Sequence, residues 1–188
     1  MAVAITLLVL NIAVPNPLST SDLSSALGQQ WPVYAAYATS FLTIGIIWIN
    51  HNVMINRLAR PDHSILILNL VLLMSVVLIP FGTSLLASYL RRGSGDNLAA
   101  AIYGGTLICM SVAFSILNTQ ILIRRPHLLR EQLSITQRRQ ILMRTVPGLP
   151  LYAMATALAA VSPYITLGVS AALAIFYALP IAAGLQLE

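Results

Sequence analysis

Six apolar runs, separated by short segments that hold nearly all of the charge, dominate this sequence and leave few folds open. A helix crosses the hydrocarbon core of a bilayer with about 20 mostly apolar residues, and most of the runs reach that length. Only 8% of the residues are charged, where a soluble domain carries roughly 25%. Such a chain cannot keep a globular surface wet, so it is expected to be an integral membrane protein.

Breakers between the runs place spans at 1–14, 33–56, 65–90, 98–123, 145–161 and 164–185. The runs are too long and too continuously apolar for strands of a membrane barrel, which alternate over about ten residues. The expected fold is all-α, a polytopic six-helix transmembrane domain occupying residues 1–188.

Charge then orients the spans. All ten basic residues are Arg, and Arg57, Arg60, Arg124, Arg125, Arg130, Arg138, Arg139 and Arg144 fall in two loops on the same side of a six-span chain. By the positive-inside rule that side is cytoplasmic, which puts both termini there too. Arg91 and Arg92 fall outside, partly offset by Asp96. Confinement of Arg to connectors makes the basic balance a topology signal rather than a nucleic-acid footprint.

Residues 15–32 have no basic residue and are rich in Ser, Pro and Gln, as an external loop should be. Trp31, Tyr34 and Tyr37 follow as an interfacial aromatic belt. Pro126 to Gln140 is expected to be an amphipathic helix, with Leu128, Leu129, Leu133 and Ile135 opposite Arg130, Arg138 and Arg139, lying on an anionic inner leaflet. Cys109 is the sole cysteine, so no internal disulfide forms, and a buried thiol is expected within its apolar run.

The amino terminus has no basic n-region and no cleavage site, so the apolar start is expected to belong to the mature protein. A span of 14 residues measures about 21 Å against a core of about 30 Å. That shortfall of roughly six residues leads us to expect further chain upstream of Met1.

Enzymatic chemistry finds little support. No carboxylate lies in a span, and neither HExxH nor GxSxG occurs. Pro80, Pro147, Pro150 and Pro180 break spans as in transporters, but no intramembrane carboxylate accompanies them. The most costly polar groups within spans are His51 and Asn69, which should point inward as a hydrogen-bonded helix clamp. Val3, Leu7 and Leu10, at i, i+4 and i+7, share one face of the first helix, with Thr6 beside them. On a lone helix that stripe serves lipid or core contact; repeated around an axis, it forms hydrophobic constrictions.

Several motifs resemble one family. Ala2 to Pro15 (AVAITLLVLNIAVP), Ser40 to His51 (SFLTIGIIWINH), Leu68-Asn69-Leu70 and Ile79-Pro80-Phe81 together resemble the bacterial members of the transmembrane protein 175 family of potassium channels. The likeness is strong over the first three spans and rests on span number and loop charge over the last three. It implies a homotetramer of six-helix subunits in the inner (plasma) membrane of a prokaryote, with potassium as the permeant ion and first helices around the ion path. It also implies that no TVGYG-type filter is present, and no such loop occurs here.

The family's first helix opens with an Arg and a Phe-Ser-Asp motif just before the stretch matching Ala2 onward, and neither occurs here. By the resemblance, Val3 is the narrow hydrophobic position, Leu7 and Leu10 are further layers toward the outside, and Thr6 is a pore-side threonine of cation preference. His51 and Asn69 resemble the packing partners of the Arg/Ser/Asp cluster, here without its first-helix members. The expected activity is therefore a potassium-conducting cation channel without a cofactor. A secondary transporter or a non-conducting membrane scaffold is the alternative.

Overall fold

The computed structural model describes residues 1–10, 12, 14, 22–90, 95–145 and 147–178. Apart from one isolated antiparallel bridge between Leu58 and Leu129, the regular structure among these residues is helical. In chain order the helices are α1 (Ala2–Val9), α2 (Leu23–Gly28), α3 (Trp31–Asn56), α4 (His63–Val77), α5 (Ile79–Leu90), α6 (Asp96–Thr119), α7 (Ile135–Thr145), α8 (Gly148–Ala157) and α9 (Pro163–Ala178). A π turn over Gln120–Arg124 prolongs α6, and a 3₁₀ turn over Leu158–Ala160 ends α8.

Four runs, Trp31–Asn56, His63–Leu90, Asp96–Arg124 and Ile135–Ala160, are long and apolar enough to cross a membrane. α9, at 16 residues, is shorter. The joint between α4 and α5 sits where Pro80 has no N–H to offer the preceding turn; the Leu78 N–H turns instead to the Ser75 carbonyl at 3.3 Å. Asp62 starts α4 by accepting from the Ile65 N–H at 2.8 Å, and Asp22 starts α2 in the same way through Ser24 at 3.1 Å. Gly95, at φ +77°, supplies the left-handed residue that precedes α6.

α6 is the central post, packed against α4, α5, α8 and α9, while α3 packs on α5 and α9. The α5–α6 approach is close because a Cβ at Gly82 would stand 3.2 Å from the Tyr103 backbone and the Thr106 side chain. At Gly104 a Cβ would overlap the Thr156 hydroxyl, so this glycine lets α6 and α8 touch. α1 leans on α3 and α5.

The two ends of the bundle differ chemically. At one end Trp31 stacks on Tyr164 at 5.8 Å, and the Tyr164 hydroxyl donates to the Leu90 carbonyl at 3.4 Å. At the other end the two Arg-rich connectors meet. The Ala59 N–H donates to Leu128 O at 2.8 Å, the Arg130 N–H to Arg57 O at 2.8 Å, and Arg125 pairs with Asp62 at 3.5 Å. These contacts put both connectors on one side, as charge alternation requires.

Several expectations need correction. Cys109 is exposed, its Sγ 3.5 Å from the Ser75 Oγ, because it shares the outward stripe of α6 with Gly105, Val112 and Ile116. Pro126 to Gln140 is not one helix. A 3₁₀ turn at Pro126–Leu128 and an extended Leu129 precede α7, because the backbone there bonds to the 57–59 connector. α7 begins at Ile135, ten residues before the expected fifth span, since Ser134 and Gln137 form a reciprocal capping box. α2 makes part of the expected external loop helical, and α1 stops at Val9. Residues 15–21, Arg91, Arg92 and 179–185 lie outside the described residues.

Candidate pore helix and its polar support

α1 has two unlike faces. Ala4 and Leu8 are fully buried against the bundle, while Val3 is 67%, Leu7 39% and Leu10 75% exposed. Thr6 is exposed on the same outward side, and its hydroxyl donates to the Val3 carbonyl at 2.9 Å. With its only proton turned back onto the helix, the Thr6 oxygen presents lone pairs outward, which suits a cation rather than an anion. The stripe of Val3, Thr6, Leu7 and Leu10 therefore offers three apolar layers and one set of acceptors. Among the described residues these side chains stay exposed.

His51 on α3 and Asn69 on α4 meet at 2.6 Å between the ring Nε2 and the carboxamide Oδ1. Both are partly buried, and the bond ties the two helices together near the Arg-rich end. The structure thus brings His51 and Asn69 to each other. Among the described residues no hydrogen bond joins either of them to α1.

A second polar contact escaped the sequence analysis. Ser40 Oγ lies 2.7 Å from Thr83 Oγ1 and 3.2 Å from the Tyr103 hydroxyl, linking α3, α5 and α6 in a fully buried cluster. Thr83 donates to Ile79 O at 2.8 Å, so it must accept from Ser40, and Ser40 must accept from Tyr103. One proton per hydroxyl fixes the direction as Tyr103 to Ser40 to Thr83 to the backbone. Ser40 and Thr83 are polar residues inside expected spans, but no local pattern in the sequence marks Tyr103 as their partner. This cluster braces α3 and α5, the two helices on which α1 rests.

Electrostatics concentrate at the connector end. Arg57 is half-buried, and desolvation pushes its guanidinium below the ordinary range. At the far end, donation from the Ser24 hydroxyl and N–H holds the exposed Asp22 carboxyl below its usual value. No three His, Cys, Asp or Glu side chains gather as metal ligands among the described residues.

Known proteins match this architecture. A potassium channel of Streptomyces collinus is 40% identical over 176 residues, covering 94% of this chain and 85% of the relative. The family model of the endosomal/lysosomal potassium channel TMEM175 matches residues 1–80, which hold α1, His51, Asn69 and Pro80. The chain belongs to the TMEM175 family. A second relative, a potassium channel of Chamaesiphon minutus, is 37% identical over 185 residues, covering 95% of this chain and 88% of its own. The crystal structure of a lysosomal potassium-selective channel TMEM175 homolog from Chamaesiphon minutus matches with a TM-score of 0.83 at 36% identity, covering 94% of this chain and 89% of that one. The likeness to TMEM175 channels therefore extends beyond the first three spans to nearly the whole chain.

Proposed function

We propose that this chain is one subunit of a homotetrameric potassium channel in a prokaryotic inner membrane, with α1 lining the ion path. The observation that carries this reading is the two-faced α1, docked through Ala4 and Leu8 while Val3, Thr6, Leu7 and Leu10 face away from the subunit's own core. Placed around an axis, Val3, Leu7 and Leu10 form successive hydrophobic constrictions. Narrow apolar rings exclude ions by dewetting and conduct when the helices splay or rotate enough to admit hydrated ions. Thr6 hydroxyls replace part of the water that an ion sheds between the rings. His51 and Asn69 hold α3 to α4 and so position the support on which α1 moves.

In this arrangement the chain crosses the membrane six times, with α8 in the fifth crossing and α9 as the sixth, and α7, which carries Arg138, Arg139 and Arg144, enters the fifth crossing from the cytoplasmic side. Both termini and the two Arg-rich connectors face the cytoplasm. The relatives are potassium channels, which makes potassium the ion to test first, with no cofactor required.

The test is potassium flux into liposomes reconstituted with the chain, with sodium as competitor and without a proton gradient. Flux that prefers potassium is expected, and Thr6→Val is expected to lower that preference. An unchanged preference would remove Thr6 from the mechanism. Flux strictly coupled to a proton gradient would make the protein a transporter, and none under any condition would make it a scaffold.

A further inference from the structure

A cleft opens at the connector end of the bundle, away from α1. Asn56, Arg57, Leu129, Arg130, Glu131 and Leu133 enclose a cavity of about 150 Å³ where the end of α3 meets the loop before α7. One water needs only about 10–15 Å³ of such space, so a phosphate group fits. Its lining combines two cationic residues, Arg57 and Arg130, and one acidic residue, Glu131, with Leu129 and Leu133.

Its cations are held in place without being neutralised. Arg130 is anchored twice to the facing connector, by its N–H to Arg57 O and by Nε to Leu58 O, each at 2.8 Å. Among the described residues its Nη groups have no protein acceptor. Arg57 is half-buried, and burial disfavours its charged form. Among the described residues no carboxylate lies within ion-pair distance of either guanidinium, although Arg125 nearby has Asp62 at 3.5 Å. Arg57 is half-buried and Arg130 exposed, so an anion entering the cleft meets both charges, one of them already partly stripped of water. Two donor forks beside an apolar wall match a phosphodiester whose ester chain continues into the bilayer.

We propose that this cleft binds the phosphate headgroup of an anionic membrane lipid, held by Arg57 and Arg130 with its glycerol end against Leu129 and Leu133. The assignment rests on the sidedness given above, which puts this end at the leaflet where anionic lipid is enriched. Because Arg130 is bonded to the 57–58 backbone, an occupied cleft also fastens the α3 terminus to the loop entering α7.

The test reads lipid binding directly, so it is independent of conduction. Full-length protein in a neutral detergent is titrated with phosphatidylglycerol, phosphatidylcholine or inorganic phosphate, and bound lipid is counted by native mass spectrometry. Phosphatidylglycerol should bind preferentially. Arg57→Gln should weaken it by about tenfold or more, the ordinary worth of a charged hydrogen bond. Should Arg57→Gln fold poorly, Glu131→Gln at the exposed rim provides the opposite sign, since removing a like charge should tighten binding. Equal affinity for phosphatidylcholine, displacement by equimolar inorganic phosphate, or unchanged binding in both variants would overturn the proposal. Failure of the flux experiment alone would leave it standing.

Discussion

The direction of the hydroxyl relay makes a quantitative prediction, because its three members are not interchangeable. Tyr103 and Ser40 are each 0% exposed, so neither can turn to solvent when its partner is removed. Ser40→Ala strands the Tyr103 O–H without an acceptor and also removes the donor to Thr83, which still has its own bond to Ile79 O. Leaving a buried donor unsatisfied costs about 1–3 kcal/mol. Tyr103→Phe removes only the first donor, and Ser40 continues to donate to Thr83. An interhelical bond of that kind in membrane proteins averages about 0.6 kcal/mol. For a chain of this size about 1 kcal/mol shifts Tm by roughly 2–4 °C. Ser40→Ala should therefore lower Tm by about 2–12 °C and Tyr103→Phe by no more than about 3 °C. In the double variant no donor is stranded, so its loss should fall short of the sum of the single losses. Thermal unfolding in detergent, followed by Trp fluorescence, measures all three. A Tyr103→Phe loss larger than that of Ser40→Ala, or strict additivity, would refute the proton order.

Three further outcomes follow from the geometry. Gly104→Ala brings its Cβ to 2.8 Å from the Thr156 Cβ and 2.9 Å from its Cγ2, an overpacking worth about 1–3 kcal/mol; thermal unfolding should show Thr156→Ala to be stabilising in that background. Asp62→Asn keeps the cap on α4 and loses only the partly exposed pair with Arg125, so it should cost under about 1 kcal/mol, whereas Asp62→Ala should cost about 1 kcal/mol more through the lost cap. Leu7→Asn places a hydrogen-bonding group in the proposed constriction, and liposome flux should rise above wild type because a polar ring resists dewetting; flux equal to wild type would take Leu7 out of the pore.

Much of this fold was legible in the sequence for a simple reason. In a bilayer an apolar run of sufficient length has one good conformation, so α3, the α4–α5 run and α6 lie close to their expected bounds. The Arg pattern also predicted that the 57–63 and 124–144 segments share a side, and within them the backbones of 57–59 and 128–130 bond to each other. What misled was the connector itself. Alternating Leu and Arg from Leu128 to Arg139 resembles an amphipathic helix, but the backbone of 128–130 is committed to the facing loop, and a helix cannot form while those groups bond elsewhere. The start of α7 was nevertheless written as Ser134-Ile-Thr-Gln137, a capping box that apolar-run counting passes over. Cys109 was misplaced because in lipid an exposed stripe is as apolar as a buried one, so composition cannot tell the two faces of α6 apart.

That ambiguity bears most heavily on the pore. Exposure of Val3, Leu7 and Leu10 is equally compatible with lipid, with a neighbouring subunit and with an ion path, since all three accept apolar side chains. Thr6 is where the three readings part in an experiment. Its hydroxyl bonds back to the Val3 carbonyl, as those of Thr39 and Thr43 do to their own helix, and so is satisfied in lipid as well; only the proposed ion path makes Thr6→Val change the preference for potassium. The buried relay bears on the same proposal. α1 docks through the buried Ala4 and Leu8, with Met1 and Ile5 packed partly against the core, and Ser40, Thr83 and Tyr103 lock together the α3, α5 and α6 framework on which it rests. Weakening that framework should therefore disturb conduction without altering any residue that faces the ion.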